Sequence, residues 1–199
     1  MPVLLKIPNL ELLPDYADAL RRGWSADNVR GKAAADEELD QIAADPEAFV
    51  QALDNPRGDG PPVVRLDGSV GPRLPSIRRW IWDGGFCGSI GLRWGPGGGP
   101  LPEWFPYGHI GYAVPPWRSG RGYATQALGL LLSEARGRGL DHVELTTDAD
   151  NPASQRVVVK NGGYLVAREP GGNLHHGAEV LRWRIDVAPP PTAEVPRAP

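Results

Sequence analysis

The chain reads as a mixed α/β fold: a single, largely antiparallel sheet flanked by helices and containing one β-α-β crossover. Three observations carry this. Residues 78–94 form a hairpin pattern, with strand-like runs on either side of Asp83-Gly84-Gly85. Residues 108–137 run from an apolar strand through Pro-Pro and a glycine-bearing turn straight into an amphipathic helix. Further strand and helix patterns then alternate to residue 185, and the strand–turn–helix–strand unit at 108–147 serves as the crossover.

The elements follow in order. Val3, Leu5 and Ile7 alternate as a first strand. Leu10, Leu13, Ala17 and Leu20 keep a helical spacing, with Pro14 near the start and Gly23 as the stop. Two short helices are expected over 36–44 and 45–53, the second with Asp45 as N-cap and Pro46 in its first position. Trp80 and Trp82 share one face of the hairpin and are expected in the core. His109 to Val114 is the next strand. Ala124, Ala127, Leu128, Leu131, Leu132 and Ala135 form the stripe of the helix that follows, which Gly137 or Gly139 ends. His142 to Thr147 alternates as a strand. Asn151-Pro152 opens a helix that stops at Asn161-Gly162-Gly163, and strands at 164–167 and 179–185 finish the fold, joined by a loop holding His175 and His176.

Composition narrows the function classes. The 199 residues suit one domain, over 1–187, with a proline-rich and disordered tail at 188–199. Hydrophobic residues make up 41% and charged residues 23%, an ordinary soluble balance. Net charge is −3 with no basic block, which disfavours nucleic-acid binding. The single cysteine, Cys87, excludes an internal disulfide and a cysteine zinc cage, and is expected as a buried structural thiol. No apolar run is long enough to span a membrane, and the N-terminus lacks signal-peptide features, so a cytoplasmic protein without membrane association is expected. A homodimer stays open.

The most informative segment is Gly108-His-Ile-Gly-Tyr-Ala-Val-Pro-Pro-Trp-Arg-Ser-Gly-Arg-Gly-Tyr-Ala124. A glycine turn feeding a helix leaves several N–H groups unpaired at the positive end of the helix dipole, which suits a phosphate-bearing ligand. Nucleotide-triphosphate hydrolysis is excluded because no Gly-Lys-Ser/Thr stands at the turn. Dinucleotide oxidoreduction fits poorly: the turn comes late, and Thr125 occupies the place of the third glycine.

Residues 109–164 resemble the GNAT superfamily of acyl-CoA-dependent N-acyltransferases. The matching residues are Ile110-Gly111-Tyr112-Ala113-Val114, then Gly120-Arg121-Gly122-Tyr123-Ala124-Thr125-Gln126-Ala127-Leu128, then Asp150-Asn151-Pro152-Ala153-Ser154 and Lys160-Asn161-Gly162-Gly163. Their spacing is similar to the branch that includes ribosomal-protein N-terminal acetyltransferases, and the hairpin at 77–94 to the family's second and third strands. The resemblance implies splayed central strands and acetyl-CoA as cosubstrate, with no metal. It implies that the amides around Ser119, Gly120, Arg121, Gly122, Tyr123, Ala124 and Thr125 hold the pyrophosphate. Ala113 and Val114 would pair with the pantetheine arm, and Asn151 and Ser154 would face the pantetheine and leaving thiolate. The usual Arg or Gln before the turn is Ser119 here, so Arg121 would share the side-chain contact.

The implied reaction is direct attack of an amine, from a small molecule or a peptide N-terminus, on the acetyl thioester. The amine must be neutral. Deprotonation at pH 7 costs about 4.6 kcal/mol for a lysine-like amine and about 1.4 kcal/mol for an α-amine of pKa near 8. Candidate bases are His109, Glu144 and Glu103. The tyrosine that many family members use as general acid corresponds to Val158, which moves the proton-donor role to Ser154 or a water. A non-catalytic acyl-CoA-binding or sensing module is the alternative reading.

Overall fold

Residues 76–94 carry apolar side chains on both faces of a hairpin, so each face needs a cover, and the rest of the chain supplies one on each side. The computed structural model describes residues 2–64, 68–170 and 179–187. His175, His176 and the proline-rich segment 188–199 lie outside these residues. The order is β1 (Leu4–Lys6), α1 (Leu13–Arg21), α2 (Lys32–Ala44), α3 (Pro46–Ala52), β2 (Val63–Val64), β3 (Val70–Gly71), β4 (Ser76–Trp82), β5 (Phe86–Arg93), β6 (Ile110–Ala113), α4 (Tyr123–Gly137), β7 (His142–Asp148), α5 (Pro152–Lys160), β8 (Tyr164–Pro170) and β9 (Glu179–Asp186).

The main sheet is split. One half runs β1-β4-β5-β6 and the other β7-β9-β8, and the ladders within each are antiparallel. Among the described residues the halves meet at a single bridge, Gly108 to Leu145. The His109 N–H donates to the Glu144 carbonyl there at 2.7 Å. Beyond this joint β6 and β7 are not paired, so the β6–α4–β7 crossover is splayed. Gly108 makes the joint feasible. Its φ is +73°, and a Cβ would fall 2.5 Å from Glu144 O and 3.0 Å from Leu145 Cα.

One core lies under α4. Ala127, Leu128, Leu131 and Ala135 are fully buried against Ile77, Ile81 and Ile90 of the first half-sheet and Val143, Leu145 and Ile185 of the second. Each such Leu or Ile contributes about 1.5–3 kcal/mol by leaving water. α4 thereby holds together two half-sheets that scarcely bond to each other. Cys87 belongs to this core, fully buried. The second core covers the other face: Leu13, Tyr16 and Leu20 of α1, Ala35 of α2 and Phe49 of α3 close over Trp80 and Phe86. Trp80 is fully buried and stacks on Tyr16 at 4.9 Å. On β4, between Ile77 and Ile81 of the first core, Arg79 points toward α4 and is held by Glu134 at 2.9 Å and Asp54 at 3.1 Å.

Two segments differ from the sequence expectation. α2 begins at Lys32 rather than 36, because the Asp27 carboxylate accepts from the Val29 and Arg30 N–H groups and turns the chain into the helix early. Residues 55–75, a glycine- and proline-rich stretch to which the sequence pattern assigns no element, contain the small β2–β3 ladder. Gly108→Ala is expected to destabilise the protein by about 3 kcal/mol through left-handed strain plus the backbone clash. A thermal melt should then fall by roughly 6–12 °C.

Candidate active site

The turn has the backbone expected of it. Pro116–Arg118 forms a single 3-10 turn after β6, and Gly120 and Gly122 adopt φ of +78° and +76°. α4 then starts at Tyr123 with no side-chain cap. The first N–H of the helix to bond back belongs to Gln126, which donates to Gly122 O at 3.1 Å. Among the described residues none accepts from the amides of Tyr123, Ala124 and Thr125. Space around both glycines is open: a Cβ on Gly120 would meet nothing within 4 Å, and one on Gly122 only the Gln126 side chain at 3.8 Å. Glycine is therefore required for the positive φ, and the open space leaves room for a ligand against the amides. The Ser119 hydroxyl turns back to Pro115 O at 3.2 Å and faces away from that space. The Tyr123 ring is buried, with its hydroxyl on Asp83 at 2.9 Å.

The splay opens into a cavity of about 710 Å³. Its walls come from the α1–α2 connection (Asp27, Arg30), from Glu38 of α2, from Arg78 and Arg93 of the hairpin, and from Ile110, Gly111 and Tyr112 of β6. Thr146, Thr147 and Asp148 of β7 and Asn151 and Ser154 of α5 complete it. Asn151 caps α5 by accepting from the Ser154 N–H at 3.0 Å while also lining the cavity. The Ser154 and Tyr112 hydroxyl oxygens stand 2.7 Å apart across the gap between β6 and α5. Burial raises the Tyr112 pKa above that of a free phenol, against the opposing effect of the Ser154 hydrogen bond. Tyr112 therefore holds its proton at neutral pH.

The structure does not bring the three candidate catalytic side chains together. Ser154 lines the cavity; His109 and Glu144 do not. His109 is only 5% exposed, and its Nδ1 accepts the Glu144 N–H at 3.0 Å. Burial is the largest influence on the ring and pushes its pKa down to about 4, with the neighbouring His142, Arg93 and Arg184 acting in the same direction and Glu144 opposing. The imidazole uses its Nδ1 lone pair to hold the sheet joint and does not line the cavity. Glu144 is bound by Arg184 at 2.8 Å and Arg182 at 3.4 Å. Burial raises its carboxyl, but the Arg184 hydrogen bond and the two positive charges outweigh this and hold it below the usual range. Glu103 is exposed and does not line the cavity either. Val158 is fully buried in the core.

The residues that sequence reasoning passed over are Tyr112, Glu38, Arg78 and Arg93. Tyr112 was legible only as part of a strand motif. The available signal for the arginines was a charged residue at an inward position of an otherwise apolar strand. Glu38 carried none, because an acidic residue on a helix is ordinary until its face is known.

Comparison with known proteins agrees with this fold. A model of the acetyltransferase (GNAT) domain matches residues 29–163, more than half of the chain, and the chain belongs to the GNAT acetyltransferase family. No curated protein matches it significantly in sequence. Among solved structures it is similar to the ribosomal L7/L12 α-N-protein acetyltransferase RimL in complex with coenzyme A, at 13% identity and TM-score 0.61 over 94% of this chain and 95% of that one. It is also similar to the microcin C7 self-immunity acetyltransferase MccE in complex with acetyl-CoA and AMP, at 13% identity and TM-score 0.57 over 94% and 93%. A chimera of the spermidine N-acetyltransferase SpeG from Vibrio cholerae and hSSAT gives 12% identity and TM-score 0.59 over 94% and 96%. At these identities the likeness concerns the fold. Among the described residues no helix is long and apolar enough to cross a membrane.

The histidine carries a pH signature. Its pKa is lower folded than unfolded, so the unfolded chain binds the extra proton between pH 6.5 and about 4. The contribution to stability is complete above pH 6.5 and is lost as pH falls through that window. Melting temperature in the wild type should drop more steeply from pH 6.5 to 4 than in His109→Gln. The pH–rate profile between about 5.5 and 8 should keep its shape in that variant, since the wild-type ring is already neutral there.

Proposed function

We propose that the protein transfers the acetyl group of acetyl-CoA to a primary amine of a small molecule or peptide, by direct attack within a ternary complex. The observations that carry this are an uncapped helix N-terminus in the segment that follows β6 and a cavity, at the splay of the two half-sheets, lined by the Ser154–Tyr112 hydroxyl pair. The amides of Gly120 to Thr125 bind the pyrophosphate, as the open space at both glycines allows. The β6 edge at Ala113 and Val114, left unpaired by the splay, pairs with the pantetheine arm as an added strand would. Asn151 holds the start of α5, and so Ser154, in place. Bound there, acetyl-CoA supplies an activated acyl carbon and a thiolate leaving group.

The residues of the chain then handle protons. The amine must lose one before or as its nitrogen bonds to the acyl carbon, and the sulfur must gain one as the carbon–sulfur bond breaks. Glu38 and Asp148 are the cavity carboxylates assigned to accept the first. The Ser154–Tyr112 pair supplies the second, with Tyr112 in the part that a tyrosine on α5 would otherwise play. His109 and Glu144 maintain the joint and are assigned no proton transfer. Buried Val158, where that tyrosine would stand, favours the second reading of a non-catalytic acyl-CoA sensor. Slow acetyl-CoA hydrolysis by the protein alone separates the two, because a sensor releases no thiol.

Calorimetric titration with acetyl-CoA should show binding that ADP reproduces only weakly, and Gly122→Asp should remove it. Unchanged affinity in that variant would overturn the turn assignment. Tyr112→Phe and Ser154→Ala should each lower kcat by about 10²-fold while leaving acetyl-CoA affinity within about threefold. A wild-type kcat in both would reassign the proton donor to water.

A further inference from the structure

Arg78 and Arg93 differ from the other partly buried arginines of the sheet and the cavity rim. Arg30, Arg79, Arg182 and Arg184 are each bound by at least one carboxylate. Among the described residues neither Arg78 nor Arg93 forms an ion pair, yet both line the cavity. They lie on one face of the hairpin: Arg78 is paired with Gly91, and Arg93 is two residues further along β5. Gly91 is in turn opposite Gly111 of β6. The guanidinium of Arg93 occupies the room left by Gly111, with Nη2 3.2 Å from where a Cβ would be, and 5.1 Å from the centroid of the Phe105 ring.

Among the described residues no neighbouring acid is within ion-pair distance of either arginine. Asp27 is bound to Arg30 and caps the turn after it. Glu38 accepts the Tyr16 hydroxyl, which burial keeps protonated and against which Arg78 also lies, and Glu38 forms no ion pair with Arg78. Asp150 is exposed at the mouth. Burial, and next the charge of Arg78, lower the Arg93 pKa to about 10. Two like charges that face one cavity and form no ion pair among the described residues make a site suited to an oxyanion, and the planar fork of arginine suits one held by two oxygens.

We propose that the acceptor amine carries a compact oxyanion, a carboxylate or phosphate, which Arg78 and Arg93 hold. This rests on the acetyl-transfer reading above and names its substrate class. The acceptor is then zwitterionic: its amine lies toward Ser154 and Asp148, and its anionic end against β4 and β5.

The test has two independent arms. In the first, thiol release from acetyl-CoA is followed with amines bearing a carboxylate, a phosphate, or the neutral amide in its place. The anionic amines should exceed the neutral one in kcat/KM by about 10–100-fold, and the ratio should collapse toward one in Arg93→Met and in Arg78→Met. The carboxylate and phosphate arms show which oxyanion is preferred. Equal use of anionic and neutral amines by the wild type would overturn the proposal. In the second arm, the arginine Nε–H resonances of the intact protein are followed by NMR during titration with succinate or neutral succinamide. Succinate alone should shift Arg78 and Arg93; equal shifts with both, or none, would overturn the proposal. This arm does not depend on turnover, so an acetyl-CoA titration without binding would reject the transferase reading while the oxyanion site is judged on its own. Folding is controlled by Arg93→Lys, which keeps the charge and should retain part of the preference. Arg93→Met should also melt above the wild type, because it removes an uncompensated charge.

Discussion

One backbone bridge, Gly108 to Leu145, sets the geometry of everything around it. It fastens two half-sheets at a single point and leaves the rest of β6 and β7 unpaired. An unpaired strand edge inside a protein is costly unless something satisfies it. Here the divergence creates the cavity, and the free β6 edge becomes a surface on which an extended ligand can pair. His109 is part of the same device. Its ring accepts the Glu144 N–H and its own N–H binds Glu144 O, so one residue secures two backbone groups of β7. A histidine used this way has no lone pair to offer at Nδ1 for catalysis.

The joint is weak in hydrogen bonds, so packing must hold the halves. α4 supplies it, with a stripe of four fully buried residues against apolar positions of both half-sheets. The same helix starts with an uncapped N-terminus, ten residues after β6 ends. Core packing along α4 therefore also fixes where the free amides of its first turn point. Moving the helix would disturb both at once, which ties the packing of the core to the position of those amides.

Charge is distributed with the same economy. Outward from the sheet, arginines and carboxylates pair: Arg79 with Glu134 and Asp54, Arg182 and Arg184 with Glu144. Glu144 is absorbed by this pairing, although its sequence position suggested a base. Inside the cavity the pattern is broken at Arg78 and Arg93. Neighbouring positions on β4 thus meet opposite fates: Arg79 is neutralised under α4, and Arg78 is not, because successive side chains of a strand point to opposite faces.

The sequence by itself determined the order of elements, the amphipathic stripe of α4, the Asn151 cap and the glycine turn. These are local: they depend on periodicity, capping chemistry and the φ that only glycine adopts readily. It also carried the family resemblance, because those local features occur at characteristic spacing. Tertiary structure decided which polar side chains meet. Tyr112 and Ser154 are 42 residues apart in the chain and 2.7 Å apart in space. Glu38, Arg78 and Arg93 reach one cavity from a helix and two strands. His109 and Glu144, adjacent across the joint, turn away from it. Such encounters depend on which face each element presents after packing, and no pattern within any single segment encodes that.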